Sequence, residues 1–258
     1  MTDTAVPTAS PELVDDIADM VRAAGEITQQ WFRHEALAVD HKGDGTPVTA
    51  ADRAAERFLR EEIERRWPDD SIVGEEEGDR RGSSDRTWVI DPIDGTKAFT
   101  QGVPLYTNLL ALEDPHGPLV GVINVPALGE TVAAGRGAGC TLNGQPCHVS
   151  DTDGLSGAYL TTSGFGVWPA DRLMSVHESE MYLRTWGDGY GYVLVATGRA
   201  EAMFDPIANH WDLAPMPVII AEAGGRFSDL HGRPTAVGGS GLATNGRLHD
   251  DILGLLHS

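Results

Sequence analysis

Two aspartates three residues apart offer the first chemistry in this chain. They lie in the run Asp91-Pro92-Ile93-Asp94-Gly95-Thr96, directly after the β-branched and apolar residues 87–90, which predict a strand. Carboxylate oxygens are the ligands that hard divalent cations prefer. Asp and Gly also favour turns, so this spacing alone is equally typical of a capped turn.

Acidic residues elsewhere favour a metal site. Glu75 and Glu76 precede the run, and Asp212 lies far downstream beside Trp211. If the side chains converge, four acidic positions can hold divalent cations that take oxygen ligands and keep some of their waters, as Mg²⁺ does. The sequence therefore predicts a magnesium site where the strand ends.

The order and spacing of these motifs resemble the inositol-monophosphatase family of metal-dependent, lithium-sensitive phosphatases. The matching segments extend over nearly the whole chain and are residues 74–76, 88–97, 211–214 and 222–225. Within the family, three further segments look most like histidinol-phosphate phosphatases of the actinobacterial type. These are residues 95–97, 184–188 and 243–250.

The resemblance implies two or three Mg²⁺ ions in each site, with Mn²⁺ as a substitute. The ligands implied for the first ion are Glu75, Asp91 and the backbone carbonyl of Ile93. Those implied for the second are Asp91, Asp94 and Asp212.

Glu75 and Thr96 are predicted to orient and deprotonate the attacking water, because a carboxylate accepts the proton and a hydroxyl fixes the angle. Thr96 is equally suited to capping a helix. The backbone amides of Gly95, Thr96 and Lys97 are predicted to hold the phosphate at a helix N-terminus. The resemblance implies that Asp52 lies near a third ion with Glu75, although its position also fits a capping box.

The leaving group is expected to contact polar side chains of the second half, at positions matching the family. These are Arg184, Asp188, Asp205 and Asn209. A carboxylate at Asp188 suits a cationic amine or an imidazole N–H, and it could equally accept polyol hydroxyls. Lys42 corresponds to a basic residue of a mobile family loop that closes toward the site.

The predicted function is Mg²⁺-dependent phosphate monoester hydrolysis by direct attack of water, acting on histidinol phosphate in histidine biosynthesis. Ala98 departs from the Asn usual after Gly-Thr-Lys, so inositol phosphates and the phosphates of other small cyclitols, sugars or nucleotides stay open. A non-catalytic acidic scaffold is the alternative from another class. The joint presence of the acidic set and Thr96 argues against it.

The composition and net charge of the chain exclude some classes of binding partner. The 258 residues are 41% hydrophobic and carry 39 acidic against 19 basic residues, a formal net charge of −20. This charge argues against nucleic acid or an anionic membrane surface and favours a small-molecule phosphate ester that meets metal ions. The N-terminus has neither a basic start nor an apolar stretch, which predicts a cytoplasmic protein. The family resemblance implies a homodimer.

Periodicity predicts helices first and strands next. Apolar residues recur every three or four positions from Leu13 to Trp31, as in an amphipathic helix. Residues 49–52 form a capping-box pattern that opens a second helix. Short apolar runs then predict a sheet. They are residues 72–73, 87–90, 107–112, 119–125 and 131–134.

Strands and helices alternate after about residue 150, with helices predicted over residues 189–197 and after Asp212. Pro217 lacks the amide donor that a helix interior needs, which predicts a late start or a kink. We divide the chain into residues 1–149, with two helices on a mainly antiparallel sheet and most metal ligands, and residues 150–258, an α/β half with the substrate-contacting residues. Periodicity predicts mixed α and β, and the resemblance implies an α-β-α-β-α layered sandwich.

Cys140 and Cys147 flank a predicted hairpin turn over residues 142–145, so they could face each other across two strands. Without a secretory context we predict two reduced, structural thiols. The glycine-rich residues 135–139 lie between strand-like runs and lack nucleotide-loop spacing, which predicts another hairpin.

Overall fold

A computed structural model describes residues 6–35, 37–41, 43 and 47–257. The helices are α1 (Pro11–Trp31), α2 (Ala50–Arg66), α3 (Thr96–Thr100), α4 (Ala170–Glu178), α5 (Asp188–Ala196), α6 (His210–Leu213), α7 (Met216–Glu222) and α8 (His249–His257). The strands are β1 (Val39–His41), β2 (Pro47–Thr49), β3 (Ser71–Gly74), β4 (Thr87–Asp94), β5 (Thr107–Asp114), β6 (Gly117–Val125), β7 (Glu130–Gly135), β8 (Gly139–Leu142), β9 (Gln145–Pro146), β10 (Tyr159–Thr161), β11 (Tyr182–Arg184), β12 (Ala202–Asp205), β13 (Arg226–Ser228) and β14 (Gly241–Thr244).

Two large sheets form the layers of the fold. The first has seven strands in the order β3-β4-β5-β6-β7-β8-β9, and the second has five in the order β11-β10-β12-β14-β13. Helices α1 and α2 cover one face of the first sheet, α5 and α7 pack between the sheets, and α4 and α8 cover the outer face of the second. The predicted α-β-α-β-α sandwich is therefore confirmed.

Local sequence explains the first two helices, both of which were predicted. Helix α1 buries the apolar stripe that includes Ile17 and Val21, because residues three and four apart share one helix face. Helix α2 begins at a capping box, in which the Asp52 carboxylate accepts from the Thr49 amide at 2.8 Å and from its hydroxyl at 2.6 Å. Asp52 thus fixes the first turn of α2.

Strand β4 differs from its predicted bounds. It continues four residues beyond Ile90, to Asp94, so the acidic pair lies within the strand rather than in a turn after it. Pro92 cannot donate a ladder hydrogen bond, and the register with β5 shifts between Asp91 and Asp94. The Asn108 side-chain amide donates to the Pro92 carbonyl at 2.6 Å, which satisfies that acceptor where the ladder is interrupted.

The segment around Asp212 forms two short helices. Helix α6 begins at His210, before Asp212, and α7 begins at Met216 with Pro217 in its first turn, where a missing amide costs no helical hydrogen bond. The predicted late start is confirmed. Helix α5 and the hairpin between β7 and β8 also match their predictions. Among the described residues, none of the helices has the length and apolar character that crossing a membrane requires.

Buried His249 gives the fold a pH dependence. Its Nε2 contacts the Ser228 hydroxyl and its Nδ1 the Thr244 hydroxyl, each at 3.0 Å. Burial, aided by the charge of Arg226, lowers the pKa of His249 from 6.5 to about 4. Between these pH values the unfolded chain binds more protons than the folded chain, so stability falls as the pH falls.

We therefore expect the His249 contribution to cost about 2 kcal/mol of unfolding free energy between pH 7 and pH 5. Urea unfolding at both pH values should show a smaller loss for His249→Gln than for the wild type. His116→Gln, at an exposed position, should behave as the wild type. Equal losses in wild type and His249→Gln would contradict the prediction.

Candidate active site

The three predicted aspartates meet at one place. Asp91 and Asp94 come from β4 and Asp212 from α6, and one carboxylate oxygen of each lies within 4.8 Å of the others. Asp91 is 1% exposed, and its buried Oδ1 has no hydrogen-bond partner among the described residues. Because a buried carboxylate oxygen without a partner is costly, this cluster has the donor set that a hard cation would satisfy.

Burial and mutual repulsion raise the pKa values of the clustered carboxyl groups. Burial, followed by the charges of Glu75 and Asp94, raises the pKa of Asp91 well above its usual range. Burial and then Asp188 do the same to the pKa of Asp94, and burial raises the pKa of Asp212 to about 6. A bound divalent cation would reverse this penalty, since opposite charge favours the ionised form.

The position of Glu75 is fixed by a buried side chain of α2, Glu56. Glu75 follows β3, and its backbone amide donates to the Ile90 carbonyl at 3.2 Å. The fully buried Glu56 carboxylate accepts from the amides of Glu76 at 2.8 Å and Glu77 at 3.0 Å. Arg60 Nε donates to the same carboxylate at 2.8 Å. The loop that carries Glu75 is thereby fixed to α2.

We expect Glu56→Gln to lower the unfolding free energy by about 3 kcal/mol, because the buried Arg60 guanidinium would lose its nearest anion and the loop amides a charged acceptor. Chemical denaturation measures the effect. Glu62→Gln is the matched control, since Glu62 pairs with Arg65 and Arg66 on the same helix but near its surface, where ion pairs contribute little. Similar losses of unfolding free energy in Glu56→Gln and Glu62→Gln would contradict the role of Glu56 in fixing the loop.

The segment after β4 opens helix α3. Gly95 is its N-cap with φ 78°, a left-handed conformation that suits glycine, and a Cβ there would come within 2.9 Å of Asp188 Oδ2. Thr96 does not cap the helix: its hydroxyl donates to the Ile93 carbonyl at 2.9 Å. The Thr96 oxygen keeps lone pairs that can accept a further hydrogen bond. Lys97 is exposed beside it.

The second half of the chain contributes an acidic wall. The Ser163 hydroxyl donates to Asp205 Oδ1 at 2.5 Å and accepts from the Asp188 amide at 2.9 Å. Tyr192 donates to the other Asp205 oxygen at 3.0 Å. Burial raises the pKa of Asp205 to about 7. Asp188 has φ 51°, an uncommon conformation that the contact with Ser163 helps to hold.

Several of these groups line one cavity of about 670 Å³ between the two halves. Its walls include eight predicted site residues: Glu75, Gly95, Thr96, Lys97, Asp188, Asp205, Asn209 and Asp212. Asp94 lines an adjoining hollow of about 100 Å³. Asp52 lies outside the lining, yet the charge of Glu75 acts on it.

Four described site residues that were predicted do not line the cavity: Asp52, Asp91, Ile93 and Arg184. Arg184 packs at the edge strand β11, with its guanidinium 5.7 to 5.9 Å from the rings of Tyr159, Tyr182 and Trp186. Such cation–π contacts hold its guanidinium among these rings at the edge of the sheet, and Arg184 is not among the residues that line the cavity. Lys42 lies outside the described residues.

Comparison with known proteins identifies the family. A model of the inositol monophosphatase family matches residues 11–258. The chain belongs to this family. A histidinol-phosphatase from Chlorobaculum parvum is 40% identical over 88% of this chain and 89% of its own length, and one from Mycobacterium tuberculosis is 39% identical over 91% and 94%. An IMPase structure from Thermotoga maritima has a TM-score of 0.87 at 28% identity, covering 95% of this chain and 97% of its own.

These matches show a phosphomonoesterase of the inositol monophosphatase family, as the resemblance implied. The acidic cavity is its candidate active site. A second cleft of about 770 Å³ lies elsewhere, but its two less exposed carboxylates, Asp70 and Asp114, already have hydrogen-bond partners. Asp70 accepts from Trp88 at 2.9 Å and Ser84 at 2.7 Å, and Asp114 forms two 2.9 Å hydrogen bonds with Arg136.

Several contacts of this phosphatase site escaped the sequence analysis. Thr107 donates to Asp94 Oδ2 at 2.9 Å, and the Gly189 amide donates to the same oxygen. Ser163 and Tyr192 were missed as partners of Asp205. Only Ser163 had a signal, because it lies in a Thr- and Ser-rich run, residues 161–163; the others resemble ordinary strand or helix residues.

Proposed function

We propose that this phosphatase hydrolyses histidinol phosphate and that Mg²⁺ supports the reaction. The observation that carries the substrate assignment is the Asp188 carboxylate, which lines the cavity with Asp212 and the adjoining hollow with Asp94 and Asp212. Histidinol phosphate offers a cationic amine and an imidazole N–H to such a carboxylate. The relatives named histidinol-phosphatase support the same substrate.

Two or three Mg²⁺ ions, which Mn²⁺ could replace, fit the oxygen-only donor set of this site. Asp91, Asp94 and Asp212 would hold one ion. Glu75, with Asp91 and the Ile93 carbonyl, would hold another, and Asp52 would lie near a third. When bound, the ions would lower the pKa of water and neutralise phosphoryl charge.

The remaining steps belong to the chain's own groups. Glu75 lines the cavity and would accept a proton from the attacking water,. The Thr96 hydroxyl donates to the Ile93 carbonyl, and would orient that water by accepting its second hydrogen. The amides at the start of α3, with the Lys97 ammonium, would bind the phosphate oxygens by charge-assisted hydrogen bonds.

The leaving group would lie against the wall formed by Asp188 and Asp205. The buried Asp205 is fixed on both oxygens by Ser163 and Tyr192, so it presents a rigid acidic surface. Asn209 lies exposed at the cavity, where its amide could contact a polar leaving group. A positively charged alcohol would be favoured here over a neutral polyol because the wall is acidic.

A panel of phosphate esters tests the proposal. We expect phosphate release from histidinol phosphate with Mg²⁺, little release after chelation, and a clear preference over inositol 1-phosphate, fructose 1,6-bisphosphate and adenosine 3′,5′-bisphosphate. Preference for inositol 1-phosphate would refute the substrate and leave the family assignment unchanged. The homodimer implied by the resemblance and the cytoplasmic location predicted from the N-terminal sequence stay predictions.

A further inference from the structure

The two cysteines lie opposite each other across the hairpin formed by β8 and β9. Thr141 pairs with Pro146 and Leu142 with Gln145, so the next pair along the strands is Cys140 and Cys147. The Cys147 amide donates to the Cys140 carbonyl at 3.0 Å. The two Sγ atoms are 3.5 Å apart and both thiols are free.

This placement satisfies the main geometric need of a disulfide. Directly opposed, hydrogen-bonded residues of antiparallel strands have Cα atoms about 5.5 Å apart, and disulfides join Cα atoms about 4.4 to 6.8 Å apart. The sulfurs already touch, so side-chain rotation would suffice and the strands need not move.

We propose that Cys140 and Cys147 form a reversible thiol–disulfide site that hydrogen peroxide oxidises and a dithiol reduces. The proposal is independent of the phosphatase mechanism, because neither cysteine lines the catalytic cavity.

The two sulfurs have different surroundings, which assign them different roles in the oxidation. Contact with Cys140 and the charge of Arg199 lower the pKa of Cys147, which is half-buried. Arg199 is held by the Glu130 carboxylate at 2.6 and 2.9 Å. Contact with Cys147, followed by burial and the charge of Glu222, raises the pKa of Cys140. Because Cys147 is the more exposed cysteine and Cys140 is only 3% exposed, we assign Cys147 as the attacking thiolate and Cys140 as the resolving thiol.

The chemistry balances over two steps. The Cys147 thiolate attacks one peroxide oxygen, the O–O bond breaks, and sulfenic acid and hydroxide form, the hydroxide taking a proton from solvent. The Cys140 sulfur then attacks the Cys147 sulfur, and the departing hydroxide takes the Cys140 proton. One peroxide is reduced to two waters while two thiols become one disulfide.

The bond would stabilise the place where the chain leaves the first sheet. Glu222 of α7 accepts from the amides of Gly137 and Gly139 at 2.7 and 2.9 Å, and the Val149 amide donates to Ala223 at 3.0 Å. The pair thus lies between two contacts that join β8 and the segment after β9 to α7. A cross-link there removes freedom from the unfolded chain.

Intact-mass and peptide mass spectrometry after peroxide treatment of the full chain test the site. We expect the wild type to lose two hydrogens, to yield a peptide that links Cys140 to Cys147, and to recover both with dithiothreitol. The oxidised protein should also unfold at a higher temperature than the reduced protein. Two thiols that still react with an alkylating agent, oxidation to sulfinic acid, linkage between chains, or a lower unfolding temperature would each overturn the proposal.

Two single variants test the order of the steps. Cys140→Ser should accumulate a sulfenic acid at Cys147 that dimedone traps, and Cys147→Ser should react much more slowly with peroxide. Circular dichroism establishes that each variant is folded, and Cys→Ala versions replace any that are not. Equal reactivity of the two remaining thiols would overturn the assignment of Cys147 as the attacking group.

Discussion

Asp91→Asn should lower kcat for a phosphate ester by roughly a thousandfold at saturating Mg²⁺, because about 4 kcal/mol of transition-state charge stabilisation depends on the bound cation. Asp91 is buried at the centre of the acidic cluster and its Oδ1 lacks a partner among the described residues. A neutral amide cannot supply the anionic charge that a hard cation requires. Asp94→Asn should behave similarly, since one Asp94 oxygen lies within 4.8 Å of carboxylate oxygens of Asp91 and Asp212.

Measurements of the unfolding temperature distinguish this loss of turnover from a loss of folded protein. Removing one of several mutually repelling buried carboxylates should keep or raise the unfolding temperature of the metal-free protein, while the rise on adding Mg²⁺ should disappear. Mn²⁺ binding followed by electron paramagnetic resonance gives a readout that does not depend on turnover. Asp85→Asn, at an exposed position away from the cavity, is the control. Near wild-type turnover of Asp91→Asn at saturating Mg²⁺ would refute the metal assignment.

Features written in local sequence were predictable. The apolar repeat of α1 and the capping box of α2 each involve residues a few positions apart, so pattern alone specifies them. The acidic site residues could also be predicted, because several carboxylates near the end of one predicted strand together indicate a metal site. That Asp91 and Asp94 lie within a strand could not be predicted. The extension of β4 beyond Pro92 depends on Asn108 of β5, which lies 16 residues away in sequence.

The supporting residues could not be predicted because they act over long sequence separations. Glu56 has the sequence context of a charged helix residue, yet its carboxylate binds amides 20 and 21 residues further along the chain. Ser163 reaches Asp205, 42 residues away. The direction of Arg184 depends on the register of an edge strand with β10, and a one-residue change of register turns every side chain to the other face.

Asp188→Asn should depress kcat/KM for histidinol phosphate by about thirty- to a thousandfold, while a small generic ester such as p-nitrophenyl phosphate should change little. The loss corresponds to roughly 2–4 kcal/mol, the cost of removing one partner of a charge pair in a desolvated pocket. Asn is the sharper substitution because it keeps the side-chain shape and tolerates the φ of 51° at this position,.

Asp188→Ala provides the comparison, since it removes the same charge but adds backbone strain at a positive φ. If the carboxylate recognises the leaving group, both variants should lose selectivity for histidinol phosphate over the generic ester. Because the Asp188 amide donates to Ser163 and its carboxylate lies against Gly95, a purely structural role would instead depress hydrolysis of both esters equally. Steady-state kinetics on the two esters therefore distinguish recognition by Asp188 from support of the phosphate-binding segment, and equal losses would refute recognition.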